Sequence, residues 1–168
     1  MTKISVISIV CTFFFGLASC FKTQQFPVEP LISNPEVVVY GDSAKVSFEF
    51  TDGDADLGLA PDDTLGLFAP DSIYYHNIKL EYFEKDDVLG WVPGLDLIGN
   101  HIVFSYRIKP IVVSENTEGI KGVIDVMVEP IYRNPLSSQS DTIKYKISLV
   151  DRALNQSNFL ETEEVTSD

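Results

Sequence analysis

Cysteine, histidine and basic side chains are scarce in this chain of 168 residues. Both cysteines, Cys11 and Cys20, lie within the first 20 residues, so the remainder has no disulfide and must be stabilised by a packed core. The two histidines, His76 and His101, have no metal-binding spacing and no cysteine near them, which argues against a zinc site. A Gly-x-Ser-x-Gly nucleophile elbow is also missing.

Positive charge is in equally short supply. The chain has 12 Lys and Arg residues against 25 Asp and Glu residues, which gives a formal net charge of −13. So acidic a protein repels phosphate backbones, and the sequence shows no basic stripe, so nucleic acid is not an expected partner. Divalent cations are the natural counter-ions of such a chain.

The longest early apolar run is too short to span a membrane. It covers residues 4–15 after Lys3, whereas a spanning helix needs roughly 20 apolar residues. We therefore interpret residues 1–19 as an export signal. Residues 17–20, Leu-Ala-Ser-Cys, resemble the bacterial lipoprotein box, which implies that Cys20 is lipidated and becomes the mature N-terminus. Removing residues 1–19 removes only Lys3 among the charged groups, which leaves 11 basic against 25 acidic residues and a net charge of −14.

Residues 20–35 are predicted to form a lipidated tether. Pro27, Pro30 and Pro35 favour an extended, semi-rigid segment that holds the following domain away from the membrane. The lipoprotein resemblance implies the bacterial cell envelope, with the outer membrane as the expected location. Lipoproteins bound for the cell surface often carry acidic residues directly after the cysteine, whereas here the first is Glu29. Periplasmic and surface-facing orientations both remain open.

Helical periodicity is absent from residue 36 onward. Apolar residues instead recur at every second position, as in strands with one buried face. The clearest runs are Val46-Phe48-Phe50, Ile78-Leu80-Tyr82, Ile102-Phe104-Tyr106-Ile108, Ile124-Val126-Val128 and Ile143-Tyr145-Ile147-Leu149. With shorter strands at residues 37–40 and 157–162, the pattern predicts an all-β domain over residues 36–168, an immunoglobulin-like antiparallel β-sandwich of about seven strands.

Residues near the C-terminus, and the chain as a whole, resemble known families. Residues 150–158 resemble the final hairpin of bacterial immunoglobulin-like domains, with Leu154 where those domains commonly have glycine. The whole chain resembles small lipoproteins of Bacteroidetes-type bacteria. These combine a lipoprotein box with a Phe-Thr-Asp-Gly-Asp-x-Asp-Leu-Gly stretch and an Asp-Arg-Ala-x-Asn turn. The resemblance implies a fold and a location but no particular activity.

Acidic residues are concentrated directly after the second predicted strand. Asp52, Asp54 and Asp56 resemble the first three ligands of an Asp-x-Asp-x-Asp-Gly calcium loop, and calcium prefers six to eight hard oxygen ligands. Leu57 stands where that loop has its glycine, and Asp63 stands at the closing position. The alternative interpretation is a solvated acidic turn held by local hydrogen bonds.

The expected topology places a second loop beside the first. In a seven-strand sandwich the loops after the second and sixth strands lie at the same end, so Asp151 and Asn155 should face the acidic loop. The predicted metal ligands are therefore Asp52, Asp54, Asp56, Asp151 and Asn155, with calcium as the cofactor. Arg152 offers a competing hypothesis, in which its guanidinium neutralises the acidic loop without any ion.

The expected function is a non-catalytic, lipid-anchored interaction or structural module, stabilised by calcium. One alternative is a glycan-binding accessory lipoprotein of a polysaccharide-uptake system, with Trp91, Tyr74, Tyr75 and Phe83 as a stacking platform, although aromatic residues are also common in strand cores. Another is a hydrolase that uses paired carboxylates. Besides the membrane, the expected partners are a glycan or an envelope protein, and fold alone does not choose between them.

Overall fold

The computed structural model describes residues 25–112, 117–129 and 131–166. Within them the chain forms nine strands and one short 3-10 helix, Gly66–Phe68. The strands are β1 (Leu31–Tyr40), β2 (Ser43–Asp52), β3 (Ile78–Asp86), β4 (Gly90–Pro93), β5 (Val103–Tyr106), β6 (Ile120–Val128), β7 (Thr142–Leu149), β8 (Leu160–Glu161) and β9 (Val165–Thr166). No helix in this part of the chain has the length and apolar character needed to cross a membrane. The export signal and Cys20 lie outside the described residues.

The strands form two antiparallel sheets. The smaller sheet has the order β1-β2-β6. The larger has the order β4-β3-β7-β8, with β5 also paired to β3 and β9 also paired to β7. The predicted all-β antiparallel sandwich is confirmed.

The core consists of the alternating residues that the sequence pattern predicted. Period-two alternation places every second side chain on one face of a strand, and the two inner faces then pack against each other. The central members are buried: Val46, Phe48, Phe50, Ile78, Leu80, Tyr82, Ile124, Val126, Val128, Ile143, Tyr145, Ile147 and Leu149. Phe104 and Tyr106 of β5 are half-buried and pack against this core.

The first strand begins earlier than predicted. The boundary expected at residue 35 falls inside β1, which starts at Leu31, so residues 31–35 belong to the sheet and not to a tether. Pro35 is accommodated because β1 is an edge strand and its register shifts between Ser33 and Glu36. Asn34 supports this irregularity with a φ of 51°. A proline that marked a linker in the sequence therefore marks a bulge in the structure.

The antiparallel register defines two ends of the sandwich. Asp52 at the end of β2 pairs with Ile120 at the start of β6, and Ile78 at the start of β3 pairs with Leu149 at the end of β7. We call this the cluster end, after the acidic residues that follow β2 and β7 here. The opposite end carries the β1–β2 hairpin, the β3–β4 turn and the β6–β7 connection. At about 3.4 Å per residue, the ten residues of β2 separate the two ends by about 30 Å.

Candidate metal centre

Four carboxylates meet at the cluster end. Asp52, Asp54, Asp56 and Asp151 each offer a carboxylate oxygen, and these oxygens lie within 4.8 Å of one another. Asp52 is the last residue of β2, and Asp151 follows β7 after one intervening residue. The predicted meeting of the two loops is therefore present in the structure. We call these four residues the aspartate cluster.

The loop after β2 differs from an EF-hand loop because its apolar residues fold into the core. Leu57, in the position of the EF-hand glycine, is 1% exposed, and Leu59 is buried too. The chain makes the necessary reversal at Ala55, which has a φ of 60°. Left-handed backbone is strained for a residue with a Cβ, and such strain is often found at functional sites. Burial of Leu57 thus fixes the loop from one side while its carboxylates gather on the other.

Asp52 is the most constrained member of the aspartate cluster. It is fully buried, at 0% exposure. Its Oδ2 accepts a hydrogen bond from the Leu57 N–H at 3.1 Å, and its Oδ1 has no hydrogen-bond partner. Burial, followed by the nearby Asp54 carboxylate, raises the pKa of Asp52 from 3.8 to about 7. A buried oxygen without a donor is costly unless a cation or a proton satisfies it.

The pKa values of two other members are raised as well. Burial raises the pKa of Asp56, as do the charges of Asp151 and Asp54. The Oδ1 of Asp56 is also buried without a partner. Burial raises the pKa of Asp151, with partial compensation by hydrogen bonds from Asn155. The site therefore holds more negative charge than the protein itself neutralises.

Asn155 supports the aspartate cluster through Asp151. Its backbone N–H donates to Asp151 Oδ1 at 2.7 Å, and its amide Nδ2 donates to Asp151 Oδ2 at 2.8 Å. The Asp151 N–H donates in turn to the Asn155 carbonyl at 3.1 Å. Predicted as a metal ligand, Asn155 thus contacts a neighbouring carboxylate through its nitrogen atoms. The turn positions Asp151 rigidly against the loop after β2.

Arg152 makes its ion pair outside the aspartate cluster. Its guanidinium binds both carboxylate oxygens of Asp63, with the NH2–Oδ1 contact at 2.8 Å. Arg152 lowers the pKa of Asp63, which also accepts a hydrogen bond from the Ala60 N–H at 2.8 Å. Asp63, which stands at the closing position of the calcium-loop pattern, is therefore paired with an arginine. The Arg152 guanidinium thus forms its ion pair with Asp63 and not with the triplet, although the charge of Asp56 also contributes to the raised pKa of Arg152.

Arg107 organises the cluster end and had no signal in the sequence. Its guanidinium donates to the carbonyl oxygens of Tyr75 at 2.6 Å, Ala60 at 2.9 Å and Asp63 at 2.6 Å. It also lies 4.8 Å from the centre of the Tyr75 ring. These contacts join the two arms of the long β2–β3 loop. A single arginine on the polar side of a strand gives no indication in the sequence of a partner more than 30 residues away.

The four predicted stacking aromatics do not form one platform. Tyr74 and Tyr75 precede β3 at the cluster end, whereas Trp91 pairs with Lys85 near the other end of this strand. The nine residues of β3 extend about 26 Å, at about 3.3 Å per residue. The indole of Trp91 is covered by the Lys144 ammonium, 4.5 Å from the ring centre, and by Lys85 at 5.7 Å.

The aspartate cluster offers the type of ligand atom that calcium prefers. It offers only hard oxygen atoms from three positions of one loop and one of another, with two buried oxygens that lack donors. Magnesium demands near-ideal octahedral geometry at shorter distances and retains its waters, so it fits a group of four converging carboxylates less well than calcium does. Comparisons with protein-family models, with curated proteins and with solved structures find no match for this chain.

Proposed function

We propose that the chain is a lipid-anchored, non-catalytic module of the bacterial cell envelope whose cluster end binds one calcium ion. The observation that carries the calcium assignment is the fully buried Asp52 carboxylate, with an unpartnered oxygen inside a group of four converging carboxylates. A divalent ion satisfies that oxygen and removes most of the repulsion between the loops. The ion thereby joins the end of β2 to the end of β7.

The composition of the site favours an ion-binding role over a catalytic one. Among the described residues, the aspartate cluster contains only carboxylates, with no histidine and no nucleophile–base pair. The anchor is supported by the Leu-Ala-Ser-Cys box at residues 17–20 and by the described sandwich that begins a few residues later. An immunoglobulin-like lipoprotein with an envelope protein as its partner fits these features.

Thermal unfolding of the mature chain, residues 20–168 with Cys20→Ser, tests the calcium assignment. Calcium sites of extracellular modules have dissociation constants of about 10⁻⁴ to 10⁻³ M. Calcium at tenfold excess over that constant stabilises the folded state by about 1.4 kcal/mol through mass action. We expect calcium to raise the melting temperature above its value in chelator, and magnesium to raise it less.

Asp151→Asn is the matched variant, because it preserves shape and removes one charge. We expect it to lose most of the calcium effect. An equal gain for parent and variant would mean that the final hairpin takes no part in the site. An unchanged melting temperature in the parent would contradict calcium binding itself.

Fractionation of cells tests the anchor. Full-length protein should follow the membranes, and the Cys20→Ser form should be released, since stable anchoring needs the lipid chains. Equal release of both forms would contradict lipidation.

A further inference from the structure

The described N-terminal segment enters the sandwich beside the aspartate cluster. An added Cβ at Gly53 would lie 2.4 Å from the Pro27 carbonyl oxygen, and one at Gly119 would lie 2.9 Å from the ring of Phe26. Residues 26–27 therefore pack directly over the end of β2. Only four residues separate Cys20 from Gln25, and the five steps between these two Cα atoms span at most about 18 Å, at about 3.6 Å each. A lipid on Cys20 would keep the cluster end next to the membrane.

The same end exposes three aliphatic side chains. We call residues 59–77 the aliphatic loop, in which Leu65 is 84% exposed, Leu67 59% and Ile73 69%. Exposed aliphatic side chains occur at the opposite end too, at Val88 and Leu89, so the entry of the N-terminal segment beside the aspartate cluster decides which end faces the membrane. Leu65 precedes the 3-10 helix Gly66–Phe68, Leu67 lies within it and Ile73 follows it. In the sequence, all three lie between the two arms of the loop that Arg107 joins.

The aliphatic loop is fixed to the calcium-binding turn. The guanidinium of Arg152 binds Asp63 and lies 5.8 Å from the centre of the Phe68 ring. Arg152 directly follows Asp151 of the aspartate cluster. The apolar residues and the cluster thus share one rigid surface and not two independent loops.

Charge decides when this surface can approach a membrane. The mature chain carries −14, so without an ion the acidic cluster end is repelled by anionic headgroups. Calcium takes six to eight oxygen ligands, and four carboxylates do not fill its coordination shell if each binds through one oxygen. Asp54 is exposed, so the open positions of a bound ion face solvent on that side. Phosphate oxygens are hard ligands of the kind that calcium accepts there.

We propose that the cluster end is a calcium-dependent docking surface for the anionic lipid headgroups of the membrane that holds Cys20. Calcium bridges the aspartate cluster to headgroup phosphates, and Leu65, Leu67 and Ile73 enter the interfacial region. This inference rests on the proposed function, both on the lipid at Cys20 and on the calcium site. It gives the module a fixed orientation, with the opposite end directed away from the membrane.

Quenching by brominated lipids tests the orientation. The lipidated full-length protein is reconstituted on vesicles that contain phosphatidylglycerol and brominated phosphatidylcholine. In the variant Leu67→Trp/Trp91→Phe, the only indole is in the aliphatic loop. In the parent, the only indole is Trp91, near the opposite end. We expect calcium to quench the introduced indole at least twofold relative to chelator, and to leave Trp91 unchanged. Adding Asp54→Asn should abolish the calcium effect, and Ile73→Trp/Trp91→Phe should reproduce it.

The outcomes separate the inference from the proposed function. If calorimetry on the same samples detects calcium binding but the introduced indole is not quenched, docking is contradicted and the calcium site stands. If neither occurs, the calcium site fails and docking fails with it. Equal quenching in chelator, or on vesicles without phosphatidylglycerol, contradicts the calcium bridge to anionic headgroups. Protein that does not remain with the vesicles contradicts the anchor.

Discussion

Aspartates lie in turns at both ends of the sandwich, and their environments differ. At the opposite end, Asp86 Oδ1 accepts hydrogen bonds from the Val88 and Leu89 N–H groups at 2.8 and 2.7 Å. These bonds lower the pKa of Asp86, with Leu89 as the largest cause. At the cluster end, burial raises the pKa of Asp52, whose Oδ1 has no donor.

The turn at Asp96 follows the pattern of Asp86. Its Oδ1 accepts the N–H of Ile98 at 3.0 Å and that of Asn100 at 2.8 Å, and these bonds lower the pKa of Asp96, with Asn100 as the largest cause. The turn held by local hydrogen bonds, which was the alternative for the acidic loop, is therefore realised at Asp86 and Asp96. Local backbone donors lower the pKa of Asp86 and Asp96, whereas Asp52 and Asp56 each keep one buried oxygen without a donor, and that oxygen is available to a cation.

The two ends also differ in which residues adopt a positive φ. The opposite end has positive φ only at glycines among the described residues, Gly41 and Gly90, whereas the cluster end has it at Gly58, Gly66 and Gly119 and also at two residues with a Cβ. The cluster end has Ala55 at 60° and Leu154 at 72°, the latter where the resembling hairpins have glycine. Strain is retained where the turn positions a carboxylate, since Ala55 lies between two members of the aspartate cluster.

The largest contrast is expected from leucines at the two ends. Leu57 is 1% exposed and Leu89 is 76% exposed. Leu57→Ala should lower the free energy of unfolding by about 3 kcal/mol, because it leaves a cavity beneath the acidic loop. Leu89→Ala should change it by less than about 0.5 kcal/mol. Urea denaturation measures both, and similar losses would contradict the difference in anchoring between the two loops.

A second contrast between the two ends is expected in how the stability of the folded state depends on pH when calcium is absent. The pKa of Asp52 is about 7 in the folded state and near 3.8 in the unfolded state, so protonation of Asp52 stabilises the folded state. This stabilisation is fully present below about pH 4 and is lost as the pH rises to about 7. The lowered pKa values of Asp86 and Asp96 have the opposite effect, with stability lost as the pH falls below about 4. Melting temperatures in chelator should therefore decrease between pH 4 and pH 7.

Two isosteric variants identify the residue that causes the decrease in melting temperature. Asp52→Asn should flatten the decrease between pH 4 and pH 7, and Asp96→Asn should leave it in place. Calcium should also reduce it, because a bound ion satisfies the same carboxylate. A slope that survives Asp52→Asn would have to come from another group.

A smaller contrast is expected from the positive-φ residues. Ala55→Gly should stabilise the chain by about 0.5–1 kcal/mol, since it relieves left-handed strain. Gly90→Ala should destabilise it by about 1 kcal/mol, because an added Cβ there meets no atom within 4 Å and its cost is the backbone conformation alone. Denaturation midpoints measure both, and a loss of stability in Ala55→Gly would show that Ala55 is not strained.

Local alternation was sufficient to predict the core and the meeting of the two acidic loops. Val46, Phe48 and Phe50 face inward because β2 has one buried side. The sandwich topology, in which the loops after β2 and β7 lie at the same end of two stacked sheets, then brings Asp52 and Asp151 together. These inferences depend only on a period of two and on strand order, both of which are visible along the sequence.

The partners of individual side chains could not be predicted from the sequence. Arg152 binds Asp63, which is 89 positions away, and nothing in the sequence distinguishes Asp63 from the nearer acids of the cluster. Asn155 was correctly placed beside Asp151, but its nitrogen atoms face the carboxylate, which depends on the turn geometry. Leu31 lies in a strand because the bulge at Asn34 absorbs Pro35, and a proline in a sequence does not distinguish an edge bulge from a linker.

The number of calcium ions bound per chain tests the difference between the two ends most directly. Equilibrium dialysis in millimolar calcium is carried out on the mature chain with Cys20→Ser and on two isosteric variants of it, Asp52→Asn and Asp96→Asn. We predict one ion per chain in the parent and in Asp96→Asn, and none in Asp52→Asn. Binding by Asp52→Asn at the level of the parent, or its loss in Asp96→Asn, would contradict the assignment of the ion to the cluster end.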